Sequence, residues 1–515
     1  MENVYLISVK FIIAISILAT LLFLWILKNK KLDKIQMKAV FCVYCFFMIL
    51  AYTTYYLQNM FYTPHLIMVS SIIFCGISII VLKFLKLYNS KTGMFFAMFT
   101  IFVVQLGYNI YTPFYARQHD SRDFVNYQYG GHFGYIGYIF FNNSLPTGSP
   151  KDFWCFYNPP LFHLISALFL KIQTLYGFTI DSGFENLQIL SMLYTIIFDI
   201  YLYKILREMK IEKGISYLIA FVGLAPAMVI MSGSLNNDIL SIMLSTMAIY
   251  YTIKWYQEDK LSNLMKIALT ISLAMMTKIS AALVAIPIAC VFFTKILKNK
   301  AEIKKYIIHF LIFALVALPI GLWFPVKNLV LYDIPLTYVQ SVDSSNGANV
   351  SRFSNFERFF KIENESLNTI NVVMGEDYNL FITTIKSFII DEYMAYEENV
   401  ILNICVYITF FSAIVLSILF ICNLIYVIKN YKKINNHWIL MFILLFLLSV
   451  ISYIKFCFDY PFSFTMNFRY IVPTLLSYTV LTGTACENNK KLFYLNNIVI
   501  TMFCIASVIL FMNLV

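Results

Sequence analysis

Long runs of apolar residues, separated by short basic or polar segments, occupy most of this chain. Many of the runs approach the ~20 residues that an α-helix needs to cross a bilayer. Of the 515 residues, 60% are hydrophobic and only 13% are charged, whereas a soluble protein carries about 25% charged residues. We therefore predict an all-α, polytopic membrane protein with about 14 transmembrane helices.

The predicted spans and the basic loops between them give one consistent orientation. Short Lys-rich loops follow alternate spans, and such loops remain in the cytoplasm. The net charge of +11 therefore indicates orientation in a plasma membrane and not nucleic-acid binding. The predicted spans are 5–27, 38–57, 64–82, 93–113, 187–206, 214–232, 238–254, 261–276, 280–294, 306–325, 399–428, 437–456, 468–486 and 491–512.

Residues 159–176 are apolar, but a crossing here would place every later basic loop outside. We predict an interfacial or re-entrant helix on the outer face, which Pro159 and Pro160 would start, because Pro suits a first helical turn. The expected organisation is N-terminal transmembrane helices (1–113), an extracytoplasmic catalytic loop with interfacial helices (114–186), a transmembrane core (187–326), a second extracytoplasmic loop (327–397) and C-terminal transmembrane helices (398–515).

The first outer loop, 114–186, concentrates side chains capable of acid–base chemistry. A partly desolvated carboxylate at the membrane surface can take a proton from an acceptor group. The catalytic candidates are therefore Asp120, Asp123 and Asp152, with Asp120 directly after a span. Alternatively, these carboxylates have no catalytic role and lie at a helix end, face solvent or cap a turn. The candidates for substrate contact are His119, His132 on a Gly-rich turn, Tyr157, and His163 on the interfacial helix, together with Asn237, Asp238, Lys278 and Arg469 later in the chain.

Two cations, Lys278 and Arg469, are expected outside or within the bilayer. A cation at that depth is costly and requires a partner. A lipid phosphate is one candidate, and Arg suits bidentate contact with it. The alternatives are extension to the interface, or pairing with a protein carboxylate such as Asp199, Asp238 or Asp459.

Several motifs in this order resemble the GT-C membrane glycosyltransferases, the broad superfamily of protein O-mannosyltransferases and aminoarabinose transferases. The resemblance covers about 110–330, with a looser match at 465–485. It rests on Asp120, on GGHFGYIGYI followed by FYNPPLFHLISALFLKI, on SGSLNNDILS with Asn237 and Asp238, on MMTKISAAL with Lys278, and on NFRYIVPTLL with Arg469. Asn158 stands where the aminoarabinose branch has Lys.

The resemblance implies transfer of one sugar from a polyprenyl-phosphate donor to a glycan, lipid or protein acceptor on the extracytoplasmic face. It implies that Asp120 is the general base. No P-loop or GxSxG pattern supports ATP-driven transport or common hydrolase chemistry. We predict no metal site and no certain cofactor, with a divalent cation left open. The alternative function is a flippase, exporter or polymerase of lipid-linked cell-surface glycans.

Overall fold

The computed structural model describes residues 66–84, 86, 88–115, 130–363, 369–391, 400–434 and 436–513, with 37, 41, 44 and 45. Within these ranges the chain is helical and contains no sheet; one antiparallel bridge joins Asn349 and Phe462. The predicted all-α membrane fold is confirmed. Seven described helices are long and apolar enough to cross a membrane, or eight if one bent pair counts as a span. The first two predicted spans lie almost entirely outside the described residues.

The described helices follow the predicted spans closely. In chain order they are α1 (Leu66–Phe84), α2 (Ser90–Tyr111), α3 (Gly131–Asn142), α4 (Leu161–Leu175), α5 (Ile180–Asn186), α6 (Gln188–Glu208), α7 (Ile215–Gly223), α8 (Pro226–Gly233), α9 (Asp238–Glu258), α10 (Leu261–Met275), α11 (Ala282–Lys298), α12 (Ile303–Tyr332), α13 (Asn355–Phe360), α14 (Leu380–Ile390), α15 (Val400–Lys429), α16 (Tyr431–Ile434), α17 (Trp438–Asp459), α18 (Thr474–Asn488) and α19 (Lys490–Asn513).

The expected span at 214–232 is broken into α7 and α8, which meet at an angle of 54°. Pro226 causes the break, because proline lacks a backbone N–H and disfavours helical geometry in the residue before it. The backbone carbonyls freed at the break gain partners from neighbouring helices. Gln105 Nε2 donates to the Gly223 carbonyl at 3.2 Å, and Ser507 Oγ donates to the Leu224 carbonyl at 2.5 Å.

The helix predicted at 159–176 is α4, and its 15 residues correspond to ~22 Å, less than the ~30 Å hydrocarbon core. One face is buried and includes Phe162, His163 and Leu170. The opposite face carries exposed apolar side chains at Leu164, Leu168, Ile172 and Leu175. A short helix with an exposed apolar stripe suits a position along a membrane surface, which favours the interfacial placement.

Two regions differ from the expected boundaries. Within 327–397, α14 is a buried helix that packs against α8 and α15, with Phe388 in the main hydrophobic core. Asn379 caps α14 by accepting from the amides of Phe381 and Ile382, so a segment too short for a span is still helical.

The span expected from 468 begins at Thr474, because Pro473 occupies the N-cap and Phe468–Tyr470 forms a separate 3-10 turn.

Candidate active site

A cavity of about 300 Å³ lies where the N-terminal end of α9, the turn before α11 and the segment before α18 meet. It brings together side chains distant in sequence. Predicted site residues that line it are His132, Tyr157, Asn237, Asp238, Lys278 and Arg469. Sequence reasoning missed Tyr338 and Tyr470 on the same wall. A concave site with convergent polar groups is the usual form of a small-molecule binding site.

The cavity contains what we term the charge cluster, formed by Asp238, Lys278, Arg469 and Tyr470. The Lys278 ammonium donates to Asp238 Oδ1, and Arg469 Nη1 lies 3.9 Å from Asp238 Oδ2. The Asp238 side chain is 4% exposed, whereas that of Lys278 is 23% exposed. Both cations also lie over the Tyr470 ring, at 5.0 and 4.7 Å from its centroid. Two cations therefore share one carboxylate at the cavity wall.

Of the partners considered for Lys278, the structure selects Asp238. Asp459 instead pairs with Lys455, four residues earlier on α17, at 2.6 Å. Asp199 is buried on α6, and neither of its carboxylate oxygens has a hydrogen-bond partner among the described residues. The pairing of Lys278 joins positions 40 residues apart, which helical periodicity does not reveal.

Hydrogen bonds between helix ends place the carboxylate. Asn236 Oδ1 accepts from the amide of Asp238 at 2.7 Å, which orients the first turn of α9. Asn237 Nδ2 donates to the Thr277 carbonyl at 2.8 Å and to Asn158 Oδ1 at 3.4 Å. The start of α9 is thus tied to the residue preceding Lys278 and to the segment before α4.

Arg469 is positioned by the C-terminal end of α14. Asn467 Oδ1 accepts from the amide of Arg469 at 2.9 Å, while Asn467 Nδ2 donates to Asp391 Oδ1 at 2.8 Å. Ser387 Oγ accepts from the amide of Phe468 at 2.9 Å. Asp391 has a φ of 61°, a strained conformation for a residue other than glycine, and such strain is concentrated at functional sites. No pattern in the sequence around Asp391 indicates this role.

A second buried group, the histidine pair, joins α3 to α4. His132 Nδ1 lies 2.9 Å from His163 Nε2, and the two rings are nearly parallel. His132 lies in the first turn of α3 and not on the expected Gly-rich turn, because Gly130 caps a helix there. Burial lowers the pKa of His163 well below its usual value, and the neighbouring His132 lowers that pKa further.

Of the remaining catalytic candidates, only Asp152 lies within the described residues. Asp152 is exposed and is not among the lining residues. His119, Asp120 and Asp123 lie outside the described residues, so their roles stay predictions. In the part of the chain that the structure describes, no group of three or more His, Cys, Asp or Glu side chains is arranged to hold a metal ion.

Comparison with known proteins finds a similarity in the central part of the chain. Residues 157–323 match the family model described as dolichyl-phosphate-mannose-protein mannosyltransferase. This matched segment includes Tyr157, Asn237, Asp238 and Lys278 of the cavity wall. No curated protein matches the chain. The match supports a mannosyltransferase-type membrane enzyme, and the predicted resemblance to the GT-C membrane glycosyltransferases is confirmed over 157–323.

Proposed function

We propose that this protein transfers a sugar from a polyprenyl-monophosphate donor to an acceptor on the extracytoplasmic face of the plasma membrane. The observation that carries the proposal is the charge cluster, where Lys278 and Arg469 converge on one carboxylate beside a cavity. Charge-assisted hydrogen bonds from Lys and Arg are the usual means of binding phosphate oxygens.

The carboxylate of the cluster favours a singly charged phosphate. Asp238 already lies against Lys278 and Arg469 and takes up part of their positive charge. A sugar linked through one phosphate to a polyprenol is a phosphodiester with a single negative charge. A diphosphate-linked donor brings at least two negative charges beside Asp238, and like charges in a buried site repel. The cluster therefore suits the monophosphate class.

The walls beside the charge cluster suit the lipid part of such a donor. Apolar side chains from three helices line the same cavity: Ile242 from α9, Leu283 and Val284 from α11, and Phe456 from α17. Burial of each CH₂ group of a prenyl chain contributes about 0.8 kcal/mol. A phosphate held at the cluster would thus leave its prenyl chain against apolar walls.

We propose Asp120 as the general base, in keeping with the sequence resemblance. The acceptor oxygen or nitrogen forms a bond to the anomeric carbon as the bond from that carbon to the phosphate oxygen breaks. Asp120 receives the acceptor's proton, and the electron pair of the broken bond stays with the polyprenyl phosphate. The charge of that leaving group rises from about −1 to −2, which Lys278 and Arg469 can stabilise.

Asp238 is unsuitable as the base, because its two oxygens face Lys278 and Arg469. A carboxylate between two cations has a low affinity for protons. Trp154, Tyr157, Tyr338 and Tyr460 on another part of the wall offer aromatic surface and hydroxyl groups to the sugar or acceptor.

The direct test is donor binding by purified protein in lipid nanodiscs. We expect polyprenyl-monophosphate mannose to bind and the matching diphosphate compound to bind more weakly. Arg469→Met should weaken monophosphate binding by roughly 10- to 150-fold, because one charge-assisted contact contributes about 1.5–3 kcal/mol.

Lys455→Met is the matched control. Lys455 is exposed, forms an i,i+4 pair and does not line the cavity, so this substitution should leave donor binding unchanged. Equal binding of both donor classes, or equal effects of the two substitutions, would contradict the assignment of the phosphate site.

The base is tested by turnover. Asp120→Asn preserves size and removes basicity, and general-base catalysis contributes about 10²- to 10⁴-fold, so release of polyprenyl phosphate should fall by that factor. Donor binding should remain as in the unmodified protein. Normal turnover in the purified variant would show that another group takes the proton.

A further inference from the structure

A second, smaller pocket adjoins the main cavity near the C-terminal end of α12, and the reaction described above does not use it. We term it the side pocket. Its volume is about 30 Å³, against about 300 Å³ for the main cavity. The residues that line both spaces are Tyr157, Asn158, Ile279 and Tyr338. A ligand in the main cavity is therefore close enough to extend a substituent into the side pocket.

The side pocket contains a buried amide without a partner. Asn328 lines the pocket and is 3% exposed, and its Oδ1 atom has no hydrogen-bond partner among the described residues. The amide of Asn158 is already used, because its Nδ2 donates to the Cys155 carbonyl at 2.9 Å and its Oδ1 accepts from Asn237 at 3.4 Å. Buried polar atoms in proteins are normally hydrogen-bonded, so Asn328 is the group that a ligand would satisfy.

The rest of the pocket wall is mostly apolar and rigid. Three proline rings line it, those of Pro159, Pro325 and Pro335. Asp333 ends α12 with a φ of 51°, and this left-handed turn brings Ile334 to the pocket. The amide of Ile334 donates to the Asn328 carbonyl at 3.2 Å, which holds the turn against the helix. The shape of the pocket is thus set before a ligand binds.

Size and charge restrict what the side pocket can hold. A water-sized group needs about 10–15 Å³ of such space, so the pocket admits about two non-hydrogen atoms. A sugar ring is too large, whereas one carbon atom with its hydroxyl fits. No charged side chain is among the described residues that line the pocket, so a cationic amino group would be buried there without a counter-ion. The pocket therefore suits a neutral hydroxymethyl group, the substituent that distinguishes a hexose from a pentose or a 6-deoxy sugar.

We propose that the side pocket is a subsite for the hydroxymethyl group of a hexose, with the hydroxyl bound to the amide of Asn328. A hydroxyl both donates and accepts, so it can pair with either atom of that amide. The ligand class rests on the proposed function, and the subsite narrows it to neutral hexoses. The hexose belongs to the donor or to a glycan acceptor, and the chemistry of recognition is the same in both cases.

Donor binding to the purified full chain in lipid nanodiscs provides the first test. Polyprenyl-monophosphate mannose is compared with the same donor carrying 6-deoxymannose. We expect the deoxy donor to bind about 5- to 150-fold more weakly, because Asn328 then remains buried without a partner. Asn328→Leu should bind both donors equally, which completes a double-mutant cycle between the side chain and the hydroxyl. The matched control is Asn142→Leu, since Asn142 is exposed on α3 and lines neither space.

Methyl mannoside and its 6-deoxy form distinguish the two sources of the hexose, because they carry neither phosphate nor prenyl chain. Their binding is followed by ligand-observed NMR with and without the donor. Dependence of donor binding on Asn328 and the hydroxyl assigns the side pocket to the transferred sugar. If only the mannoside shows this dependence and it binds together with the donor, the pocket belongs to the acceptor.

Equal binding of the mannose and 6-deoxymannose forms of both probes to the unmodified protein would overturn the subsite. This comparison needs no variant, so it decides the proposal even if Asn328→Leu does not fold. Donor binding without discrimination by either probe leaves the proposed function intact and removes the subsite. Mannoside binding that depends on Asn328, in a protein that binds no polyprenyl-phosphate donor, would contradict the proposed function and support the subsite.

Discussion

Among the described residues, two Lys–Asp pairs, Lys278–Asp238 and Lys386–Asp377, have different surroundings. In the second pair Lys386 is 0% exposed, lies 2.8 Å from both oxygens of Asp377 and also donates to the Asn371 carbonyl. Asp377 accepts in addition from the amide of Val373 at 2.7 Å. In the first pair the ammonium contacts one carboxylate oxygen, is 23% exposed and lines the cavity. In an enclosed pair the loss of one member leaves a buried charge without a partner, whereas a pair open on one side retains capacity for a ligand.

The largest expected effect is on stability, at the enclosed pair. Lys386→Met leaves the Asp377 carboxylate buried without its cation, which should cost about 3–5 kcal/mol of unfolding free energy. Denaturant titration of the protein in detergent measures this loss. Lys455→Met removes a cation from an exposed pair and should cost less than about 1 kcal/mol. Similar losses for the two variants would show that enclosure does not distinguish the pairs.

Substitution of Lys278, in the pair that is open to the cavity, should reduce activity more than stability. Lys278→Met should reduce transfer by roughly 10- to 150-fold, through loss of one charge-assisted contact, while most of the stability is retained. Parallel measurement of turnover and denaturant midpoint separates the two quantities. A stability loss equal to that of Lys386→Met, with normal turnover in the folded fraction, would make Lys278 a second structural cation.

The charge balance at the open pair predicts a smaller change in donor preference. Asp238→Asn removes one negative charge from the cluster, so a diphosphate donor should be rejected less strongly. In competitive binding assays we expect the preference for the monophosphate to fall several-fold. This change is smaller than the effect of losing one charge-assisted contact. An unchanged preference would mean that shape and not charge selects the donor.

The smallest effect is expected at Asp152, which was predicted as a catalytic candidate. Its carboxylate is exposed and is not among the cavity-lining residues, so Asp152→Asn should alter turnover by less than about twofold. A reduction approaching that of Asp120→Asn would place Asp152 in the reaction, through a rearrangement of its loop when substrates bind.

Comparison of the predicted spans with the observed helices shows how much of the fold the sequence can predict. Hydropathy located α6, α15 and α19 within a few residues, because a bilayer imposes the length of a crossing helix. It could not locate α14, which is shorter than a span, or the bend at Pro226 inside an otherwise continuous apolar run.

The pairing of charged residues in the site is harder to predict from the sequence than the position of a helix. Residue type singled out Lys278, Asp238 and Arg469, since charged groups at membrane depth require a function or a partner. The sequence left the pairing of Lys278 open among Asp199, Asp238 and Asp459, because contacts between distant helices depend on packing and not on local periodicity.

In its proposed interfacial position, α4 would make the membrane surface part of the candidate active site. One face of this helix presents Leu164, Leu168 and Leu175 outward, and the opposite face holds His163 against His132. A helix that rests at the level of the lipid head groups fixes how deep the cavity lies below them. In that position the bilayer would set the depth of the proposed reaction. A change in head-group level is then expected to displace His163 relative to the anchored carboxylate of Asp238, and with it the alignment of donor and acceptor.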